Sequence, residues 1–160
     1  LHVNENRYNP KYSVAQTKDL FTVSAKDIFH NVVKTALQKD GWIITHDPLY
    51  LRLGDDPMRI DLGAERLIVA ERDQEQIAVE VKSFLAPSAI SEFHTALGQY
   101  LNYRAVLQLQ QPHRKLYLAV SIDIYRNFFR RDLPQLSMQV YQLKMIVFDP
   151  VNEVILQWIN

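Results

Sequence analysis

The sequence predicts a mixed α/β (α+β) domain, with a central sheet flanked by helices. Three observations carry that expectation. A helical repeat follows Ser24, a second and longer one is opened by Pro87-Ser88, and short β-type runs divided by turn residues lie between and beyond them. At 160 residues, 48% of them apolar, the chain suits a single core. No internal repeat or low-complexity segment competes with that reading.

Residues 1–23 show no sustained period and contain Asn9-Pro10, so they are expected to form an N-terminal extension, an added remnant or the product of an upstream start. The domain is expected over 24–160. Ser24 and Asp27 offer a helix start, and Ile28, Phe29, Val32, Val33, Ala36 and Leu37 recur at helical spacing until Gly41. Trp42 to Thr45 and Leu49 to Leu53 read as short strands around Asp47-Pro48. The turn residues Gly54 to Pro57 lead into a further strand at Arg59 to Leu62. Leu67 to Glu71 and Gln76 to Lys82 flank Arg72 to Glu75 as a hairpin would.

Pro87-Ser88 then opens a helix with Ile90, Phe93, Leu97, Tyr100, Leu101 and Arg104 on one side. Gln111-Pro112 ends it near Gln110. Leu116 to Val120 is a strand, and Ser121 caps a helix whose Tyr125, Phe128 and Phe129 are expected in the core. Pro134 begins a shorter helix, and Lys144 to Phe148 and Val154 to Ile159 are strands around Asp149-Pro150.

Charge and composition narrow the function classes. Eighteen basic and eighteen acidic residues cancel, so any contact with DNA rests on a local patch and not on a global field. The absence of cysteine excludes disulfides and thiolate metal sites, leaving carboxylate or histidine ligands. No apolar run reaches the roughly 18 to 20 residues of a membrane helix, and a cytoplasmic location is expected. There is no glycine-rich phosphate loop and no nucleophile elbow, and His30, His46 and His94 stand isolated in the sequence.

The segment Ile77 to Ser83 is where chemistry concentrates. Side chains alternate along a strand, so Ile77, Val79 and Val81 share one face while Glu80 and Lys82 leave from the other. Charged groups in so apolar a strand need each other, a metal or a polar cleft. An ordinary cross-strand ion pair would satisfy them. So would a hard-cation site, in which two carboxylates hold Mg²⁺ or Mn²⁺ and the ammonium faces water or phosphate. Asp61 is the favoured second carboxylate, with Glu65 or Glu71 as replacements. A hairpin centred on Asp73-Gln74 would set Leu67 to Val69 opposite Glu80, so Asp61 is expected to reach it through a bend at Gly63. Gln99 and Tyr103, four apart, lie on one face of the following helix, with Glu92 and Thr95 upstream near the same side. Arg114, Lys115, Arg126, Arg130 and Arg131 suit either phosphate contacts or a solvated surface. Asp27 suits the cap at the helix start, and only a family resemblance would imply an acid there for the site.

Asp61 followed by Glu80-Val81-Lys82 resembles the PD-(D/E)xK nuclease superfamily, with Ile60 where that pattern carries proline. Gln99 to Tyr103 is similar to the Gln-x-x-x-Tyr motif of its RecB-like branch. More specifically, Ala25 to Asn31, Ile60 to Glu65, Val79 to Phe84 and Phe93 to Tyr100 resemble the XisH family, excision controlling factors for a DNA element, over about Ser24 to Trp158. The resemblance implies a restriction-endonuclease-like fold and an endonuclease-like site for Mg²⁺-dependent phosphodiester hydrolysis. In that site Asp61 and Glu80 would be metal ligands, Lys82 would act on water or phosphate, and Gln99 and Tyr103 would orient substrate or lysine. It implies DNA, an XisI-like companion protein and a site-specific recombinase as partners, and paired nicks would suit a homodimer. A non-catalytic module that keeps the fold and binds such partners is the alternative.

Overall fold

The computed structural model describes residues 28–67 and 74–160. Helix α1 (28–39) is followed by β1 (Ile43–His46), β2 (Leu49–Leu53), β3 (Asp56–Ile60), β4 (Leu62–Leu67) and β5 (Gln74–Val81). Helix α2 (Ala89–Gln110) leads to β6 (Arg114–Ser121). A single turn α3 (Ile122–Ile124) runs into a π-helical turn over Tyr125–Phe129. Helix α4 (Asp132–Tyr141) and strands β7 (Met145–Asp149) and β8 (Val154–Ile159) complete the order. Ser24, Asp27 and Glu71 lie outside the described residues.

The main sheet has six strands in the order β1-β4-β5-β6-β7-β8, while β2 and β3 form a separate hairpin. β5 to β6 and β6 to β7 are parallel, and the other pairs are antiparallel. This is the mixed α/β class that the sequence predicts. Alternation in β5 sorts the core as expected. Ile77, Val79 and Val81 join Val32, Val33 and Leu37 of α1, whereas Ala78 joins Phe93, Ala96 and Tyr100 of α2. Helices thus cover both faces, which is why β6 reads as an unbroken apolar run, Leu116 to Val120. Burying each such large side chain contributes about 1.5–3 kcal/mol.

α2 begins where Ser88 Oγ accepts from the Ser91 amide at 3.3 Å and ends at Gln111, before Pro112, as the sequence indicates. Tyr100 ties it to the sheet. Its hydroxyl donates to Leu116 O at 3.1 Å and accepts from the Lys144 amide at 3.0 Å, so a fully buried phenol is satisfied. Phe128 and Phe129 are buried as expected and pack edge-on against Phe93, while Tyr125 is only partly buried.

Three expectations are corrected. The hairpin register is displaced, because β4 starts at Leu62 and pairs Leu62 with Val79 and Leu67 with Gln74, so Leu67 does not face Glu80, while Ile68 and Val69 lie outside the described residues. The bend is not at Gly63, through which β4 keeps its pairing with β5 while the neighbouring register shift falls on β1, between Ile44 and His46. The bend falls at Asp61, the one residue between the β2–β3 hairpin and the main sheet. Gly63 serves close packing instead: a Cβ there would stand 3.1 Å from His46 Cβ. Helix α4 starts two residues before Pro134, at Asp132, which leaves the proline within the first turn where no amide partner is lost.

Candidate active site

The break at Asp61 builds the site. β4 and β5 are paired up to Leu62 and Val79, and one step further along the ladder sets Asp61 against Glu80. There the Asp61 carboxylate replaces the missing strand, accepting from the Val81 amide at 2.9 Å through Oδ2. On the other side of β5 the Lys82 amide donates to Ala119 O at 3.0 Å, so the carboxyl end of the strand is held from both neighbours. Glu65, by contrast, pairs with Gln76, about 13 Å along the strand from Glu80 at about 3.3 Å per residue.

Glu80 points to the α2 side and is only 5% exposed. The Lys82 ammonium is 3.0 Å from Glu80 Oε1 and donates to Gln99 Oε1 at 2.6 Å, which joins β5 to the middle of α2. Glu80 Oε2 is buried without a hydrogen-bond partner among the described residues. Burial raises the Glu80 carboxyl above its ordinary range, and the Asp61 charge pushes the same way, against the opposing pull of Lys82 and the weaker pull of the Asp61 backbone amide. One turn beyond Gln99, Tyr103 is half-buried, and its phenol is raised by burial and then by the charges of Glu80 and Asp61. All five predicted positions therefore gather at the carboxyl end of a parallel strand, the place where sheets of this kind usually present ligand groups.

Among the described residues no third Asp, Glu or His joins Asp61 and Glu80 as a ligand cluster. The two carboxylates nevertheless fit a hard cation, because such an ion takes oxygen ligands, would give Glu80 Oε2 a partner and would offset the repulsion that raises its carboxyl.

The histidines and arginines sort differently from the sequence expectation. His30 is not isolated, since its Nε2 lies 2.7 Å from Asp47 Oδ1, with Lys34 Nζ 2.7 Å from Oδ2. Arg114 is buried and donates from Nη1 to Ile77 O at 2.9 Å, which gives it a structural role in the sheet. Glu92 is the residue whose importance the sequence understated. Its Oε2 is also buried without a partner, and it lines a cavity that Lys82 shares. Its only sequence signal is its position seven residues, two helical turns, before Gln99.

The family model described as XisH protein matches residues 23–156. The chain belongs to the XisH family. Among solved structures, an XisH family protein from Nostoc punctiforme is 52% identical, with a TM-score of 0.75 over 83% of this chain and 99% of that one. An fdxN element excision controlling factor protein from Anabaena variabilis is likewise 52% identical, with a TM-score of 0.75 over 84% of this chain and 99% of that one. No curated protein matches. The XisH match spans the strands and helix that carry Asp61, Glu80, Lys82, Gln99 and Tyr103. Among the described residues no helix is long and apolar enough to cross a membrane.

Proposed function

We propose that this protein acts in the site-specific excision of a DNA element, through an endonuclease-like site of the PD-(D/E)xK kind that hydrolyses phosphodiesters with Mg²⁺ or Mn²⁺. The observation that carries the reading is the buried, unpartnered Glu80 Oε2 set against Asp61, with Lys82 beside it. The similarity to an fdxN element excision controlling factor supplies the biological setting. DNA, a site-specific recombinase and an XisI-like companion are the partners that follow from it, in the cytoplasm.

Asp61 and Glu80 would hold the cation. When bound, such an ion stabilises charge on a phosphoryl oxygen and acidifies water. The chain's own groups do the rest. Lys82 has three N–H donors, of which Glu80 and Gln99 take two, leaving one for a phosphate oxygen. Gln99 fixes the direction of that donor, and the Tyr103 hydroxyl offers a further donor to the substrate from the same helix face. The test is nicking of supercoiled or branched DNA with Mg²⁺. Cleavage is expected in the wild type, and a rate unchanged in both Glu80→Gln and Lys82→Ala would overturn the reading.

One observation favours a second reading, a non-catalytic interaction module. Leu133, Leu136 and Val140 are exposed along one face of α4 at helical spacing. This reading predicts that partner proteins co-purify after both substitutions and that no cation raises the melting temperature through Glu80.

A further inference from the structure

The β2–β3 hairpin leads directly into Asp61, so its outer face borders the site. Its register pairs Leu49 with Ile60, Tyr50 with Arg59, Leu51 with Met58 and Arg52 with Pro57. Paired residues share a face, so Leu49, Leu51 and Ile60 turn inward onto the core that α2 helps to build, while Tyr50, Arg52, Pro57 and Arg59 face outward and are exposed. Gln110, the last residue of α2, donates from Nε2 to Arg52 O at 2.7 Å and fastens the hairpin to the helix. The outer face is thereby held in place beside the two acids, with Arg59 two residues before Asp61.

That face carries a ring and a charge that the fold itself does not use. Tyr50 is 71% exposed, whereas the next most exposed aromatic side chain among the described residues, Tyr141, is at 42%. Directly across the strand pair from this ring stands Arg59, which has no ion pair or side-chain hydrogen bond among the described residues. Arg52, by contrast, lies 3.9 Å from Asp55 and donates from Nε to Gly54 O at 2.9 Å. Asp56 pairs with Leu53 and so falls on the other face by alternation. The unneutralised charge of the outer face is therefore that of Arg59, beside an open ring and next to the site.

An exposed ring beside an unpaired guanidinium matches a nucleotide whose base is unstacked, since the base can lie on the ring while its phosphate meets the cation. A continuous duplex offers no such match. Its bases already stack on one another, and its hold on a protein comes from rows of cations, which this face of a chain with eighteen charges of each sign does not provide. We propose that the outer face of the hairpin binds a single-stranded stretch of DNA beside the phosphate to be cleaved, with Tyr50 stacking on a base and Arg59 contacting an adjoining phosphate. The substrate is then a branched or flapped DNA. The inference rests on the reading of the Asp61/Glu80 pair as a DNA-acting site and deepens it by naming the form of DNA that the site takes.

The test is fluorescence anisotropy of labelled DNA with the full chain in chelator, so that binding is read without cleavage. A mixed-sequence single strand is expected to bind more tightly than a blunt duplex of the same length. Tyr50→Ala should weaken the single strand about tenfold, the scale of one base–aromatic stack, while Tyr50→Phe, which keeps the ring, should stay within about twofold of the wild type. Arg59→Ala should flatten the slope of log affinity against log salt by about 0.7, the value of one phosphate contact on a single strand. Tyr141→Ala, on α4, should change neither quantity. Equal or tighter binding of the duplex, an unchanged affinity in Tyr50→Ala, or tighter binding of RNA of the same sequence would overturn the proposal. Single-strand binding that depends on Tyr50 in a protein that nicks no DNA with Mg²⁺ would count against the nuclease reading alone and leave the hairpin surface standing.

Discussion

Asp47 and Glu80 each meet a lysine in this molecule, yet they end in opposite electrostatic states. Asp47 sits at the surface between Lys34 and His30, both at 2.7 Å. Partial burial works to raise its carboxyl, but the hydrogen bonds and charges of Lys34 and His30 outweigh that and hold it below the ordinary value. Glu80 also has a lysine, at 3.0 Å, but burial and the neighbouring Asp61 prevail and its carboxyl is raised. The first cluster has a donor for each carboxylate oxygen; the second keeps an acceptor unmatched. A closed ion pair serves structure, whereas one that keeps a buried acceptor unmatched suits the cation proposed for this site.

Substitutions sharpen that contrast, beginning with the largest effect. Glu80→Gln and Lys82→Ala are each expected to slow Mg²⁺-dependent nicking by about 100-fold or more, the usual scale for removing a group that acts on the reacting atoms. Asp47→Asn is expected to leave the rate unchanged. Equal losses at both clusters, measured as initial rates on supercoiled DNA, would erase the distinction.

Cation linkage gives a smaller effect. Mn²⁺ at ten times its dissociation constant should stabilise the wild type by about 1.4 kcal/mol and raise its melting temperature, with no rise in Glu80→Gln. A raised folded-state carboxyl contributes stability that is fully present below its unfolded value of 4.5 and is lost as pH climbs through the folded value. In chelator at pH 8, therefore, Glu80→Gln should melt no lower than the wild type. Its advantage should shrink as the pH falls toward 4.5. Melting curves at several pH values decide this.

Gln99→Ala is expected to cost about tenfold in nicking rate, because it removes the acceptor that aims Lys82 but not the ammonium itself. A Gln99→Glu variant that retains the acceptor should lose less if position matters most, with the pH–rate profile displaced. The smallest effect belongs to the closed cluster. Asp47→Asn should lower stability by about 0.5–1 kcal/mol near neutral pH, as expected for a partly exposed pair, and less in high salt. Since the Asp47 carboxyl is lowered, that contribution is present above its unfolded value of 3.8 and disappears as the pH falls through the folded value. Urea titrations at pH 7 and pH 3 measure it.

Much of this was legible in the sequence. Period-two alternation from Ile77 to Lys82 put Glu80 and Lys82 on one face, and the structure adds that this is the α2 face, shared with Ala78. Spacing along α2 put Gln99 and Tyr103 on one face, the family resemblance linked that face to Lys82, and the order of the acids along the chain made Asp61 the favoured second carboxylate. The register was not legible, because Leu67 to Glu71 are as strand-like as Leu62 to Leu67 and no Asn-Gly or Asp-Gly marks the turn. Nor was the partnership of His30 with Asp47, since it depends on how α1 lies against the β1–β2 connection and has no periodic signature. Glu92 looked like an ordinary polar residue near a helix start, and only its buried, unmatched oxygen distinguishes it.

Asp61 ends one sheet and completes another, so the chain distance between the two acids is not itself under chemical constraint. Residues added in pairs at the tip between Leu67 and Gln74 would leave Asp61 and Glu80 face to face, whereas one residue inserted between Leu62 and Leu67 would turn the aspartate away. Relatives of this protein are thus free to differ widely in the number of residues separating their two acids, while the pairing of the strands beneath them stays fixed.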